Sequence, residues 1–184
     1  VRAASRFTEL CEAKRFISLH FSGGTTEILL YDNGKLTIIG GTKDISFGQL
    51  LDRIGTKLGL DFPCGEELDT LAYRYLKKNV KAKILVFPKI KTNSGYINLS
   101  GIESAVFRFI DGKTLETDEK NQLILGIFSS ISTAILDMLD EVYKKYAIND
   151  FLFAGGVSSS KTLRKMIGEA GTNFNYVFCE PELS

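Results

Sequence analysis

The sequence contains few of the side chains that build a metal site or a disulfide framework. Its 184 residues include one histidine, His20, and three cysteines. One histidine excludes a multi-histidine metal site made by this chain alone, so a metal site would need ligands from elsewhere. Cys11, Cys64 and Cys179 are odd in number, widely spaced and never arranged as Cys-x-x-Cys. That pattern is typical of reduced thiols in a cytosolic protein.

An excess of one charge is also absent. Lysine and arginine number 23 against 22 for aspartate and glutamate, and the net charge is +1. Whole-chain electrostatics therefore argue neither for nor against a nucleic-acid partner. One lysine-rich stretch, residues 77–91, is interpreted as a solvated face, with an RNA-facing patch as the alternative.

Long apolar runs are not evident either. We see none approaching the roughly 18 to 20 residues of a membrane-spanning helix. Charged residues interrupt positions 2–12, which excludes a secretory signal. We therefore expect a cytoplasmic protein with no membrane partner. The sequence begins without methionine and ends on Glu-Leu-Ser, and we interpret it as a fragment.

The chain opens with three β-rich segments joined by tight turns. The predicted strands are residues 15–21, 25–31 and 35–40, after a helix-like stretch at 1–14. Ser22-Gly23-Gly24 forms the first turn. Asp32-Asn33-Gly34 is typical of a type I′ hairpin, because Asn-Gly tolerates positive φ angles. These segments predict an antiparallel meander.

Helical periodicity dominates the middle of the chain. Helices are predicted at 44–58 (ended by Gly59), 66–78, 100–110 (with Ser100 and Glu103 as a capping box) and 117–146. A short strand is predicted at 84–87. The end of the chain then predicts a strand at 150–154, a Gly-Gly turn, a helix at 158–169 and a strand at 175–179. This order indicates an α/β fold.

Two glycine turns are candidates for phosphate binding. One lies at 22–26 (SGGTT), between two strands, and the other at 154–160 (AGGVSSS), between a strand and a helix. Glycine lets a ligand approach main-chain N–H groups, and neighbouring hydroxyls add donors. The second turn opens a helix whose N-terminus would favour an anion. The alternatives are an ordinary hairpin and a packing device.

Carboxylates near these turns are further candidates. Asp44 and Asp52 are eight residues apart on one predicted helix, about two turns, and would share one side of it. Solvated surface charge is the alternative. The combination of a meander with a later strand-Gly-Gly-helix unit is how the actin-like ATPase architecture builds a nucleotide cleft.

Five segments, taken in order, resemble the motif series of the glycoprotease family. They read SGGTT, GGTKDISFGQLLD, KLGLDFPCG, LSGI and FAGGV, at 22–26, 40–52, 57–65, 99–102 and 153–157. The family series reads roughly SGGHT, GxTxDDAxGExxDK, LGLxYPGGP, FSGLK and AGGVxxN. The resemblance covers about residues 20 to 165. The best-known members help to make threonylcarbamoyl-adenosine on tRNA, and an older family name is O-sialoglycoprotein endopeptidase.

The resemblance implies an actin-like ATPase (ribonuclease H-like) subdomain. Residues 1–184 would be its C-terminal part, with 66–115 as a helical insertion. It implies ATP or threonylcarbamoyl-adenylate, with magnesium, and as partners tRNA, a paralogous subunit or a second copy. The implied nucleotide contacts are the phosphate-loop residues Ser22, Gly23, Gly24 and Thr25, Asp52 at the ribose, Gly65 on the nucleoside side, and Gly155, Gly156 and Ser160 in the second loop.

The sequence also departs from the family pattern. No His-x-x-x-His pair occurs in residues 1–21, so the family's iron or zinc site is not expected here, and no catalytic residue is assigned. Acidic, basic or amide family residues are replaced at Ile45, Gln49, Glu103 and Ser160, and the histidine of SGGHT is Thr25.

These departures leave two hypotheses open. One is a threonylcarbamoyl-transferring enzyme whose fragment alone is inactive. The other is a non-catalytic paralogue that dimerises or acts as a scaffold. The residues support neither a peptidase nor a sugar kinase, since HExxH and Asp-Gly-x-x-Gly are both missing.

Overall fold

A computed structural model describes residues 14–78 and 83–179, and the helix predicted for 1–14 lies almost wholly outside this range. The strands are β1 (Arg15–Phe21), β2 (Thr26–Asp32), β3 (Lys35–Thr42), β4 (Thr92–Asn93), β5 (Tyr96–Ile97), β6 (Asp150–Ala154) and β7 (Asn175–Phe178). The helices are α1 (Phe47–Lys57), α2 (Gly65–Lys78), α3 (Ser100–Ile110), α4 (Thr117–Tyr146) and α5 (Lys161–Gly168), with a 3-10 helix at Gly156–Ser159.

The predicted meander is confirmed. β1 pairs antiparallel with β2, from Arg15 opposite Asp32 to Phe21 opposite Thr26, and β2 pairs antiparallel with β3. Asn33 and Gly34 have φ angles of 47° and 87°, as a type I′ turn requires. β2 and β3 extend slightly past their predicted ends, to Asp32 and Thr42.

Strands β6 and β7 on one side and the antiparallel β4–β5 hairpin on the other extend the meander into one seven-stranded sheet, ordered β4-β5-β3-β2-β1-β6-β7. β6 lies parallel to β1, β7 lies parallel to β6, and β5 lies parallel to β3. The predicted α/β fold is therefore confirmed. The range 66–115 holds α2, the β4–β5 hairpin and α3, and its β5 belongs to the central sheet.

Helix α4 forms the centre of the core, with the predicted bounds. Ile127, Ile131, Ile135 and Met138 are buried along one face. By length and composition α4 could cross a membrane, since one window of it has a mean hydropathy of 1.6. The expectation that no apolar run approaches this length was therefore wrong. However, 67% of that window is buried inside the protein, as expected for a core helix.

The strand predicted at 84–87 is wrong. This segment has no regular secondary structure and is bonded to helix α4 instead: the Leu85 N–H donates to the Gln122 carbonyl at 3.2 Å. Gly126 allows this approach, since a Cβ there would lie 2.1 Å from the Leu85 carbonyl oxygen. The sheet is joined instead by the short β4–β5 hairpin, whose turn residues Ser94 and Gly95 have φ angles of 55° and 80°.

Helix boundaries near the glycine turns also differ from prediction. α1 begins after Ser46, whose side chain caps it together with Gln49, rather than at Asp44. Leu99 is the N-cap of α3, and no side chain of its own turn caps it, so the predicted Ser100–Glu103 capping box is wrong. The helix predicted at 158–169 is divided into the 3-10 helix and α5. Gly59, with φ +84°, ends α1 as predicted.

Candidate nucleotide-binding site

The two glycine turns lie side by side at one edge of the sheet. Because β1 and β6 are parallel neighbours, with His20 opposite Ala154, both strands end at the same edge. Gly155 packs on β1 so closely that a Cβ there would lie 2.4 Å from the Phe21 carbonyl oxygen. In open α/β sheets, ligands bind at the carboxyl ends of such strands.

The first turn is a closed loop that presents two glycines to solvent. The Ser22 N–H donates to the Thr25 carbonyl at 2.8 Å, and the Thr25 N–H donates to Ser22 Oγ at 3.1 Å. Gly23 and Gly24 are exposed, and a Cβ on either would have no atom within 4 Å. Within the described residues their N–H groups have no hydrogen-bond acceptor, so these groups are available to a ligand.

Helix α1 fixes this loop from behind. Ser46 Oγ donates to the Gly23 carbonyl at 2.6 Å, and the Phe47 N–H donates to Thr26 Oγ1 at 2.9 Å. Gly48 permits the contact, because a Cβ there would lie 2.4 Å from the Gly23 Cα. The loop is therefore held in place before any ligand arrives.

The second turn joins β6 to the 3-10 helix. Gly155 is buried with φ +90°, whereas Gly156 is exposed and a Cβ there would meet no atom within 4 Å. Ser158 Oγ donates to the Ala154 carbonyl at 2.8 Å, which closes the turn on itself. The first N–H groups of a helical turn lack intrahelical acceptors, and within the described residues those of Gly156 and Val157 have no backbone acceptor.

The N-terminus of α5 is not an open anion site, contrary to prediction. Asp69 of α2 already occupies it: its carboxylate accepts from the Lys161 N–H at 2.8 Å and the Thr162 N–H at 2.9 Å. Ser160 Oγ donates to the same carboxylate at 2.6 Å and accepts from the Leu163 N–H. Ser160 is thus the buried N-cap of α5. Of the predicted second loop, only the Gly155–Val157 turn remains as a candidate for phosphate binding.

Arg164 supports this second turn from the far side. Its Nε donates to the Ser158 carbonyl and its Nη2 to the Cys179 carbonyl, both at 2.8 Å. The guanidinium also lies over the Phe178 ring at 4.9 Å from the centroid. This side chain ties the turn to the end of β7.

Asp52 lies on the exposed side of α1, near the start of α2. Its Oδ1 accepts from the Cys64 N–H at 2.8 Å, which leaves Oδ2 for a ligand. Gly65 is the first residue of α2, and a Cβ there would meet no atom within 4 Å. Gly55 brings this loop close to α1, since a Cβ there would lie 2.2 Å from the Cys64 Cβ.

Asp44 does not share a helix face with Asp52, so that prediction is wrong. Its carboxylate accepts from the Ile45, Leu99 and Ser100 N–H groups at 2.8 to 3.0 Å. Burial raises the pKa of this carboxyl, but these hydrogen bonds outweigh burial and hold the pKa below its ordinary value. Asp44 therefore joins the start of α1 to the start of α3.

An open groove follows the exposed side of α1 from Gln49 to Lys57, with a volume of about 710 Å³. Asp52, Phe62 and Phe107 line it. On its α3 side, Glu103 pairs with Arg53 at 3.1 Å. Arg53 therefore compensates the negative charge of Glu103, which stands where the family has a lysine.

Two further departures from the family pattern have structural roles. Ile45 packs against the hydrophobic core, and Gln49 Oε1 accepts from the Ser46 N–H at 3.0 Å to complete the cap of α1. Within residues 14–78 and 83–179 no group of three or more His, Cys, Asp or Glu side chains is placed to hold a metal ion.

Known structures define the fold class. HypF from T. kodakarensis has a TM-score of 0.71 at 12% identity, over 91% of this chain and 32% of that protein. The activator of 2-hydroxyisocaproyl-CoA dehydratase from Clostridium difficile, solved with bound ADPNP, has a TM-score of 0.54 at 15% identity, over 90% and 54%. At such identities the likeness shows the fold alone, which is that of the actin-like ATPases.

Sequence comparison identifies the family. The model described as TsaD, tRNA N6-adenosine threonylcarbamoyltransferase, matches residues 4–184. The protein of that name from Clostridioides difficile strain 630 is 30% identical over 161 residues, which is 84% of this chain and 46% of the relative. The one from Streptococcus pneumoniae strain D39 is 28% identical over 88% of this chain and 48% of the relative. The chain belongs to the tRNA N6-adenosine threonylcarbamoyltransferase family and spans about half the length of these relatives.

Proposed function

We propose that this chain is the nucleotide-binding half of a cytoplasmic protein that transfers a threonylcarbamoyl group to adenosine in tRNA. The ligand is ATP or threonylcarbamoyl-adenylate, with magnesium. The other partners are tRNA and a paralogous subunit or a second copy of the chain.

The observation that carries this proposal is the adjacency of the two glycine turns. Gly23, Gly24 and Gly156 present open main-chain surface at one edge of the sheet, and each turn is fixed from behind by a hydrogen bond, from Ser46 to the first and from Arg164 to the second. Backbone N–H groups arranged in this way form concave sites for phosphate groups. If the two turns were far apart, one ligand could not contact both.

The reaction that we propose for the whole protein is an acyl transfer. The bond between the carbonyl carbon and the adenylate phosphate oxygen breaks, a bond from that carbon to adenosine N6 forms, AMP leaves, and N6 loses a proton. In this half, the N–H groups of Gly23, Gly24 and Gly156 would hold the phosphate oxygens. Magnesium, which binds oxygen ligands, would neutralise part of their charge, and Ser22 and Thr25 offer hydroxyl oxygens beside them.

The test is titration of the chain with ADP and magnesium by calorimetry, using glycine variants that fold but block approach to the turns. Gly24→Val and Gly156→Val place side chains in open space, so stability should be kept while ADP affinity falls at least tenfold. Gly101→Val is the matched control, because Gly101 also faces open space but lies on α3. Equal affinity in all the variants, or no ADP binding by the unchanged chain, would refute the proposal.

A non-catalytic paralogue is the second candidate, and two substitutions favour it. Ile45 packs on the core and Glu103 pairs with Arg53, so positions that are acidic and basic in the family pattern serve packing and local charge balance here. This candidate predicts a stable complex with a related subunit that forms without nucleotide. Light scattering with and without ADP separates it from the transferase.

A further inference from the structure

The Arg164 side chain joins two parts of the fold that the chain itself connects only through helix α5. Its Nε donates to the carbonyl of Ser158, in the second glycine turn, and its Nη2 donates to the carbonyl of Cys179, directly after β7, both at 2.8 Å. One planar guanidinium therefore spans the gap between the turn and the end of the sheet.

The surroundings of Arg164 make this link part of a closed circuit. The guanidinium lies over the Phe178 ring, 4.9 Å from its centroid, which is a cation–π arrangement. Ser158 and Cys179 are both buried, at 4% and 6% exposed. The Cys179 N–H donates to the carbonyl of Phe153 at 2.8 Å, and Phe153 lies in β6, the strand that leads into the turn. A shift of the turn must therefore move the end of β7 or break one of these bonds.

The link depends on the shape of arginine as well as on its charge. The guanidinium holds its N–H donors in fixed directions in one plane, whereas the ammonium group of lysine is a compact point charge on a flexible stem. Two carbonyls from different elements, each at 2.8 Å from a different nitrogen of Arg164, match the guanidinium geometry. A lysine at this position would keep the positive charge and lose the two-armed connection.

We propose that Arg164 is a positioning residue of the nucleotide site, which fixes the second glycine turn for phosphate binding and ties it to the end of β7. The inference rests on the proposed nucleotide function and adds a consequence to it. A ligand held by the Gly156 and Val157 N–H groups also holds the turn, and through Arg164 it holds Cys179. Arg164 acts through the Ser158 carbonyl and does not contact the ligand.

Hydrogen–deuterium exchange of the unchanged chain tests the link without any substitution. The reporter is the Cys179 N–H, which bonds to Phe153 beside the last pair of β6 and β7. With ADP and magnesium at about ten times the Kd, mass action limits the slowing of exchange to about elevenfold. We expect this amide to exchange at least about threefold more slowly, because its opening must release the turn that holds the ligand. Inorganic pyrophosphate should also slow it, since phosphates alone engage the turn.

Arg164→Lys supplies the second measurement, because it removes the two-armed connection and keeps the charge. Calorimetry should show that ADP and pyrophosphate bind about tenfold more weakly, as expected for the loss of a hydrogen bond to a charged group. At equal saturation with ADP, the slowing of exchange at Cys179 should disappear. A purely structural role of Arg164 would lower the unfolding temperature and leave both of these readouts in place.

Val142→Ala is the matched control for stability. Val142 is buried on α4 and lies next to Gly95 of the β4–β5 hairpin, at the opposite edge of the sheet from β6 and β7. Its truncation leaves a cavity that lowers the unfolding temperature. The affinity for ADP should stay within about twofold of the unchanged chain, and the slowing at Cys179 should persist. Thermal unfolding of both variants checks that the fold is retained.

The outcomes separate this inference from the proposed function. If Arg164→Lys binds ADP as the unchanged chain does, or if bound ADP has no effect on exchange at Cys179, the link is overturned while the nucleotide function stands. Equal weakening of ADP binding by Val142→Ala also overturns it, since affinity would then follow stability alone. If the unchanged chain binds neither ADP nor pyrophosphate, the nucleotide function fails and this inference fails with it.

Discussion

Gly155 lies directly on the backbone of Phe21, the last residue of β1. A Cβ at position 155 would fall 2.4 Å from the Phe21 carbonyl oxygen and 2.7 Å from its carbonyl carbon. This contact is what places the second glycine turn beside the first. The Phe21 ring itself makes edge-to-face contacts with two other rings, with centroid distances of 5.2 Å to Phe47 and 6.2 Å to Phe153.

Gly155→Ala should therefore be among the most damaging single substitutions in the chain. Its φ of +90° strains any residue with a Cβ, and the clash is with backbone that cannot move aside. We expect a loss of about 3 kcal/mol or more in the free energy of unfolding, measured by urea denaturation. Gly156→Ala is the control and should cost less than about 1 kcal/mol, because its Cβ meets open space. Similar losses at both positions would contradict the packing described.

Gly48→Ala tests the support of the first turn. Inside a helix this change normally stabilises by up to about 1 kcal/mol, but here the new Cβ would lie 2.4 Å from the Gly23 Cα. We expect net destabilisation of about 2 kcal/mol and weaker ADP binding, measured by thermal unfolding and calorimetry. Gly101→Ala, in α3 with open space around it, should be neutral or stabilising. A Gly48→Ala variant as stable as Gly101→Ala would show that α1 does not buttress the loop.

Local patterns predicted the elements whose signal lies within their own residues. β1, α4 and β6 have the predicted bounds, since strand alternation and helical spacing are strong in Arg15–Phe21, Thr117–Tyr146 and Asp150–Ala154. The adjacency of the two glycine turns followed from the expected architecture. What failed depended on a partner far along the chain, as for residues 84–87, which pair with α4 instead of a strand.

The site shows the same division. The accessible backbone of the glycine turns could be predicted, because it follows from the missing side chain of glycine itself. The role of Ser160 was not, because its partner Asp69 is 91 residues away, and Asp44 caps a helix start 55 residues away. No spacing rule connects such pairs before the chain is folded.

Asp69→Ala should loosen α5 without removing the glycine turns. The carboxylate accepts from Ser160 Oγ and from two N–H groups at the helix start, so its loss leaves several donors without a partner. We expect a cost of about 2 kcal/mol in urea denaturation. Asp69→Asn keeps one acceptor oxygen, so its stability should lie between that of the unchanged chain and that of Asp69→Ala. A cost of Asp69→Ala below about 0.5 kcal/mol would mean that solvent replaces the carboxylate fully.

Asp44 gives a prediction for the pH dependence of stability. Hydrogen bonds from Leu99, Ser100 and Ile45 lower its pKa in the folded protein against the opposing effect of burial. A lowered folded-state pKa means that the unfolded chain binds the proton more tightly, so acid favours unfolding. The stabilisation is therefore complete above the ordinary aspartate pKa of about 4 and is lost as the pH falls through the lower folded-state value.

Asp44→Asn should accordingly lower the unfolding temperature at pH 7, by the equivalent of about 1 kcal/mol for a lost helix cap, because its amide group faces N–H donors. The difference from the unchanged chain should shrink as the pH is lowered from the ordinary aspartate pKa of about 4 through the lower folded-state pKa of Asp44, since the aspartate then becomes protonated and loses its advantage. Asp140→Asn, which removes an exposed pair with Lys144, should change stability by less than about 0.5 kcal/mol at pH 7. A difference for Asp44→Asn that persists undiminished at the acid end of this range would show that the carboxylate charge does not join α1 to α3.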